Sequence, residues 1–189
     1  MVFSVKTLEE NRIVLLLAES RRLRQVNLDV IREMTANDYS VILLSVTLPN
    51  MVIRRTYAAA GIDLSMVYVV DAVTKYSGGP VDVEDTQCHY ISNPGNLTDI
   101  GIVLTELLKT VPGEKKCLFF DDVSTMLLYS PSVTISKFIH FMTNKLRLYD
   151  VSGVLLAVEK GLDPALVTQL STFADLVMQA GEDLGNKPV

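Results

Sequence analysis

Residues Lys115 to Tyr129 read KKCLFFDDVSTMLLY, an apolar run that stops abruptly at two adjacent carboxylates, Asp121 and Asp122. Lysines bound it on one side and acids on the other. Such a run reads as the buried central strand of a parallel sheet, with the acids at its carboxyl end. Open α/β sheets bind their ligands at that end. The stretch therefore predicts both a fold class and the part of the molecule where a site belongs.

Working outward, Arg12–Ala18 (RIVLLLA), Tyr39–Val46 (YSVILLSV), Met66–Val70 (MVYVV), Gly153–Val158 (GVLLAV) and Ala174–Ala180 (ADLVMQA) have the same fully apolar or β-branched character. These make six strands with the central one, and Gln87–Ile91 is a candidate short edge strand. Between them lie five helical patterns. Val26, Val30, Ile31 and Met34 mark the first, and Ile53, Tyr57 and Ala60 the second, which starts near Pro49 and stops at Gly61. Asn96, with Asp99 three residues on, caps the third, whose inward residues are Leu97, Ile100, Leu104, Leu107, Leu108 and Val111. Ile135, Phe138, Ile139, Met142, Leu146 and Tyr149 give the longest a clean stripe, starting at Ser130 or Ser132. Asp163-Pro164 opens the last, with Leu166, Leu170 and Phe173 inward. Residues 74–86 carry Gly78-Gly79-Pro80 and no periodicity, so they form a loop. Strands alternating with helices specify a three-layer α/β/α fold with a mainly parallel sheet and right-handed crossovers.

The chain has 189 residues, 49% of them hydrophobic, which suits one domain with a full core over about residues 12–180 and a C-terminal tail at 181–189. A net charge of -5 and a pI of about 5.0 give no global reason to bind nucleic acid or an anionic membrane. Cys88 and Cys117 are not in a redox or metal-binding spacing, and a buried reduced thiol at Cys117 fits a reducing cytoplasm. The N-terminal MVFSVKTLEENR has acids where a signal peptide needs an apolar core, and no run approaches the roughly 18 apolar residues of a membrane span. A soluble, cytoplasmic protein is expected.

The order of these pieces resembles the RecA-like ATPase domain, of the type in KaiC, the archaeal RadA-related proteins and FlaH. The resemblance runs from about Arg12 to Ala180. Its most specific part is Leu118–Asp122 (LFFDD), followed by Ser124-Thr125 and Leu127-Leu128-Tyr129, which is similar to the Walker B strand and following loop of KaiC-type domains. Val69-Val70-Asp71-Ala72 and the long helix after the acids support it. The resemblance implies a P-loop NTPase fold, with ATP and magnesium as cofactors in active relatives.

Two parts of that machinery are missing. A P-loop needs glycines so that backbone N–H groups can wrap phosphates, a lysine for their charge and a hydroxyl for magnesium. The equivalent segment, Ala18–Gln25 (AESRRLRQ), has no glycine and no lysine, and Glu19 adds negative charge. Where the resemblance implies a catalytic glutamate after the second strand, the chain reads Ser45-Val46-Thr47-Leu48-Pro49. Phosphoryl transfer depends on positioning and charge stabilisation, and both have lost their main sources.

Asp121, Asp122, Ser124 and Thr125 are the candidate ligand-binding residues of a degenerate Walker B tip. The two acids either hold magnesium through water or act as structural caps, and such a metal normally needs bound phosphate as co-ligand. Asp71 faces the same choice. Arg21, Arg22 and Arg24, with Arg54 and Arg55, are candidate anion contacts or a solvated basic face. His89 and His140 have no companion at metal-ligand spacing, so no metal ligands are assigned. Ser124 and Thr125 lack the setting of a nucleophile, so no catalytic residue is assigned. The residues favour a non-catalytic RecA-like interaction module, with protein partners or self-association and no required cofactor. The alternative is a nucleotide- or anion-binding protein with weak or no NTPase activity.

Overall fold

The computed structural model describes residues 3–10, 12–160 and 162–180. The expected tail at 181–189 lies outside them. Seven strands form one sheet in which every neighbouring pair is parallel: β1 (Ile13–Ala18), β2 (Tyr39–Ser45), β3 (Val67–Asp71), β4 (Cys88–Tyr90), β5 (Lys115–Phe120), β6 (Ser152–Val158) and β7 (Leu176–Gln179). Their order across the sheet is β4-β3-β2-β5-β6-β1-β7. The candidate edge strand is β4, and β5 is central as its apolar run requires.

The helices are α1 (Val5–Glu10), α2 (Leu23–Thr35), α3 (Asn50–Ala59), α4 (Leu97–Thr110), α5 (Val123–Met126), α6 (Ser132–Leu148) and α7 (Pro164–Phe173). Two of them, α1 and α5, were not expected from the sequence. Each is too short to show a full 3.6-residue period; α1 is held by burying Val5 and Leu8, α5 by Val123 and Met126.

Alternate strand residues face opposite layers. Leu15, Ile42, Leu118, Phe120 and Leu155 pack in the core covered by α4, α6 and α7, whereas Leu16, Val41, Leu43, Phe119 and Leu156 pack in the core under α1, α2 and α3. The apolar stripes behave as their spacing predicts: Val26, Val30, Ile31 and Met34 are buried on α2, and Ile135, Phe138, Ile139, Met142 and Leu146 on α6. Asn96 caps α4, accepting from Asp99 N at 3.2 Å while its amide donates to Asp99 Oδ2 at 2.6 Å. Gly61 sits at φ +72° after α3, and Asp38 and Asp150 hold left-handed conformations at the turns into β2 and β6.

The layer arrangement fixes where a crevice opens. Connections through α2 and α3 run along one face toward β3, and those through α4, α6 and α7 run along the other face toward β7. The neighbouring strands β2 and β5 therefore send their chains to opposite faces, which parts their carboxyl ends. Asp121 follows β5 at this place.

Candidate functional site

Asp121 is 6% exposed, and its carboxylate is turned onto the segment that leaves β2. It accepts from Ser45 Oγ at 2.9 Å, Val46 N at 3.1 Å and Thr47 Oγ1 at 2.5 Å. Its own N–H donates to Leu44 O at 3.2 Å. Burial pushes its pKa up from the usual carboxylate range to about 6, against the pull of these three donors, with the charge of Asp122 adding a little to the rise. The position after β2, where the resemblance implies a glutamate, instead supplies the hydroxyl that bonds the acid.

Asp122 is used locally. It caps α5, accepting from Ser124 N at 2.9 Å and Thr125 Oγ1 at 2.6 Å. Ser124 Oγ accepts in turn from Val158 N at 2.9 Å, tying α5 to the end of β6. The four acids and hydroxyls singled out from the sequence are brought together, and each hydrogen-bonds within the protein. The same holds for buried Asp71, which accepts from Asn50 N (2.7 Å), Val73 N (2.7 Å), Thr74 N (2.8 Å) and Thr74 Oγ1 (2.5 Å).

The segment where a phosphate loop would lie is a short 3-10 turn, Ser20–Arg22, running straight into α2. Arg21 pairs with Glu19 at 2.6 Å, and Arg22 reaches Ala180 O at 3.5 Å. Arg24 points to a chamber of about 260 Å³ between α2 and α3, lined also by Leu23, Leu28, Leu43, Leu48 and Ile53 and floored by Asp121. The arginines thus do not converge. Inside the chamber Tyr57 donates to Asn27 Oδ1 at 2.7 Å, and burial raises the phenol far above the usual tyrosine range, with Asp121 adding to it. Tyr57 was expected only as an inward core residue, and Asn27 carried no signal in the sequence, because their pairing depends on how α2 and α3 lie against each other.

Residues 74–86 are a loop, docked by Tyr76 edge-on to Tyr129 at 5.6 Å between ring centres. Beneath it a cleft of about 500 Å³ holds Arg54 paired with Asp85 at 3.3 Å and Asn50, whose Nδ2 donates to Asp85 at 2.9 Å. Arg54 is thereby committed to Asp85, in a cleft that Arg21, Arg22 and Arg24 do not line. His89 lies on β4 and His140 on α6 against Phe173. Among the described residues no three His, Cys, Asp or Glu side chains form a metal-ligand group, and no helix is long and apolar enough to cross a membrane.

A larger hollow lies on the opposite face, a groove of about 700 Å³ between α4 and α6. Gly101 faces both rings of α6, where a Cβ would make ordinary contact with Phe138 at 3.4 Å and Phe141 at 3.7 Å. Ile102, 61% exposed, and Phe141, 47% exposed, line it with Lys109 and Lys137.

Residues 14–180 match DUF7504, a family of unknown function. No curated protein matches the chain. Among solved structures it is similar to a KaiC-like protein from the hyperthermophilic archaeon Pyrococcus horikoshii (TM-score 0.60, 14% identity, covering 89% of this chain and 71% of that one). An uncharacterised protein from Pyrococcus horikoshii, crystallised with an unknown peptide, is similar at TM-score 0.63 and 14% identity over 93% of this chain and 82% of that one. The flagellar accessory protein FlaH from Methanocaldococcus jannaschii is similar at TM-score 0.54 and 16% identity over 89% and 70%. The fold is RecA-like, of the KaiC and FlaH type.

Proposed function

As a member of DUF7504, a family of unknown function, the chain brings a fold without an assigned chemistry, and we propose that it is a non-catalytic RecA-like domain that works by binding other proteins. The observation that carries this reading is the state of Asp121. A carboxylate that holds magnesium beside phosphates must offer an oxygen to the metal's water shell. Here Ser45, Val46 and Thr47 take both oxygens. Glu19 and the glycine-free turn after β1 offer no cradle for phosphates, and the remaining chamber is walled by leucines. The residues do not fit a magnesium nucleotide, and no reaction step is derived through one.

An interaction role is supported by the groove between α4 and α6, where exposed Ile102 and Phe141 lie among Glu106, Lys109 and Lys137. Its apolar centre and rim of mixed charge suit a protein surface of aliphatic side chains ringed by charges of both signs, and a second copy of this chain is one such surface. That a similar Pyrococcus horikoshii protein was crystallised with a peptide points the same way. We place the protein in a reducing cytoplasm, where Cys88 and Cys117 stay free thiols.

Calorimetry with Mg-ATP, ADP, GTP and polyphosphate tests the reading. No heat and no thermal shift are expected with any of them. Micromolar binding that Asp121→Ala abolishes would sink it in favour of a nucleotide-responsive protein.

A further inference from the structure

We propose that the chamber between α2 and α3 is a small-molecule site for a short apolar body carrying a single carboxylate. The inference goes beyond the interaction reading and does not depend on it. Three properties of the chamber lead there.

Its walls are aliphatic: Leu23 and Leu28 from α2, Leu43 from β2, Leu48 and Ile53 from the entry to α3. A ligand that fills it must present hydrocarbon to them, and burying that surface supplies the gain. At about 260 Å³ the chamber falls below the roughly 300–1,000 Å³ of sites that enclose drug-sized ligands, so a nucleotide is not enclosed.

Besides the hydroxyls of Ser20 and Thr56, the chamber is lined by two side chains that offer donors, Arg24 and Asn27. Arg24 and Asn27 stand three residues apart on α2 and so on one face of the helix. Buried Tyr57 must place its phenolic proton, and gives it to Asn27 Oδ1 at 2.7 Å. With Oδ1 taken, the amide keeps Nδ2 as a donor, on the helix face that also carries Arg24. A carboxylate is the group that two such neighbouring donors, one of them charged, receive best.

Its lining acid, Asp121, is occupied by Ser45, Val46 and Thr47, and Glu19, outside the lining, is paired with Arg21. Neither competes for Arg24, yet the Asp121 charge on the floor opposes a ligand of higher negative charge. One carboxylate is the balance, and a polyphosphate is disfavoured.

Hexanoate, hexanol and Mg-ATP titrated into the full chain, followed by calorimetry and by the methyl signals of Leu23 and Leu28, test the proposal. Saturable hexanoate binding that shifts those methyls is expected, with hexanol weaker. Arg24→Gln, at an exposed position, should weaken hexanoate about tenfold or more and leave hexanol unchanged. Thr56→Phe, which fills the chamber, should abolish both. Absence of saturable hexanoate binding, methyl shifts confined to residues elsewhere, or equal hexanoate affinity in Arg24→Gln would each overturn it. Mg-ATP binding that shifts the Leu23 and Leu28 methyls would overturn both readings, and Mg-ATP binding without those shifts the interaction reading alone, so the two failures are distinguishable.

Discussion

Thr47 Oγ1 lies 2.5 Å from Asp121 Oδ2, joining a residue two past the end of β2 to the acid that follows β5 across the parting of their crossovers. The carboxyl ends of β2 and β5 are therefore tied together through that acid, on the floor of the chamber between α2 and α3. Replacing Thr47 by Val removes one of three donors from a buried carboxylate, at a cost of about 1–3 kcal/mol. Urea unfolding of Thr47→Val at pH 7 measures the loss, and the loss should shrink at pH 5, where the acid is more protonated.

The same acid gives the fold a pH dependence of definite sign. Burial makes Asp121 easier to protonate folded than unfolded, so the folded chain holds the extra proton between its usual value near 3.8 and about 6. Its contribution is fully present below that window and lost as the pH rises through about 6. The ceiling is about 3 kcal/mol. Asp121→Asn keeps the shape without the charge, and should gain stability over the parent across this interval in paired denaturation curves.

Asp71 joins β3, the start of α3 and the 74–86 loop through four donors. Asp71→Ala orphans buried Asn50 N and Thr74 N, for a loss of about 3 kcal/mol or more by chemical denaturation. Asp71→Asn retains an acceptor and should cost less.

Gly153 is paired with Ile13 in the sheet, and a Cβ there would come within 2.5 Å of Leu146 Cδ1 and 3.3 Å of Ile13 Cδ1. Leu146 is fully buried, so it has little room to give. Gly153→Val should lower stability by about 1–3 kcal/mol, with part of the loss recovered when Leu146→Ala is combined with it.

If the groove between α4 and α6 is where copies meet, light scattering at rising concentration will give a mass above the 20.9 kDa of one chain. Phe141→Glu should return the mass to that of one chain without lowering the melting temperature, because the ring is half exposed. A mass that never rises counts against self-association.

The elements whose residues alternate or recur with a fixed period were legible in the sequence. The run ending in Asp121, the stripe on α6 and the Asn96–Asp99 cap all lie where local pattern places them. The short α1 and α5 were not, because a single turn has no period and is stabilised only by what it lands on. At the site, the presence of Asp121, Asp122, Ser124 and Thr125 at one tip followed from their adjacency in the chain. Their partners did not: Thr47 meets Asp121, and Asn27 meets Tyr57, only because β2 lies beside β5 and α2 beside α3. The arginines showed the converse, being close in sequence yet drawn by Glu19, Ala180 and the chamber to different places.

The pairing of Ile13 with Gly153 and of Val14 with Leu176 ties the beginning of the chain to its end. During synthesis β1 leaves the ribosome before either of its neighbours, β6 and β7, which follow only after β2, β3, β4 and β5. Until then it is an apolar ribbon with both edges bare, the kind of segment that holdase chaperones shield and that pairs with other chains when they do not. Folding of this topology is governed by contacts far apart in sequence and should be slow for its size. Truncation just before β7 would leave β1 as an exposed hydrophobic edge and favour aggregation, while removing none of the residues at the carboxyl tips of β2 and β5.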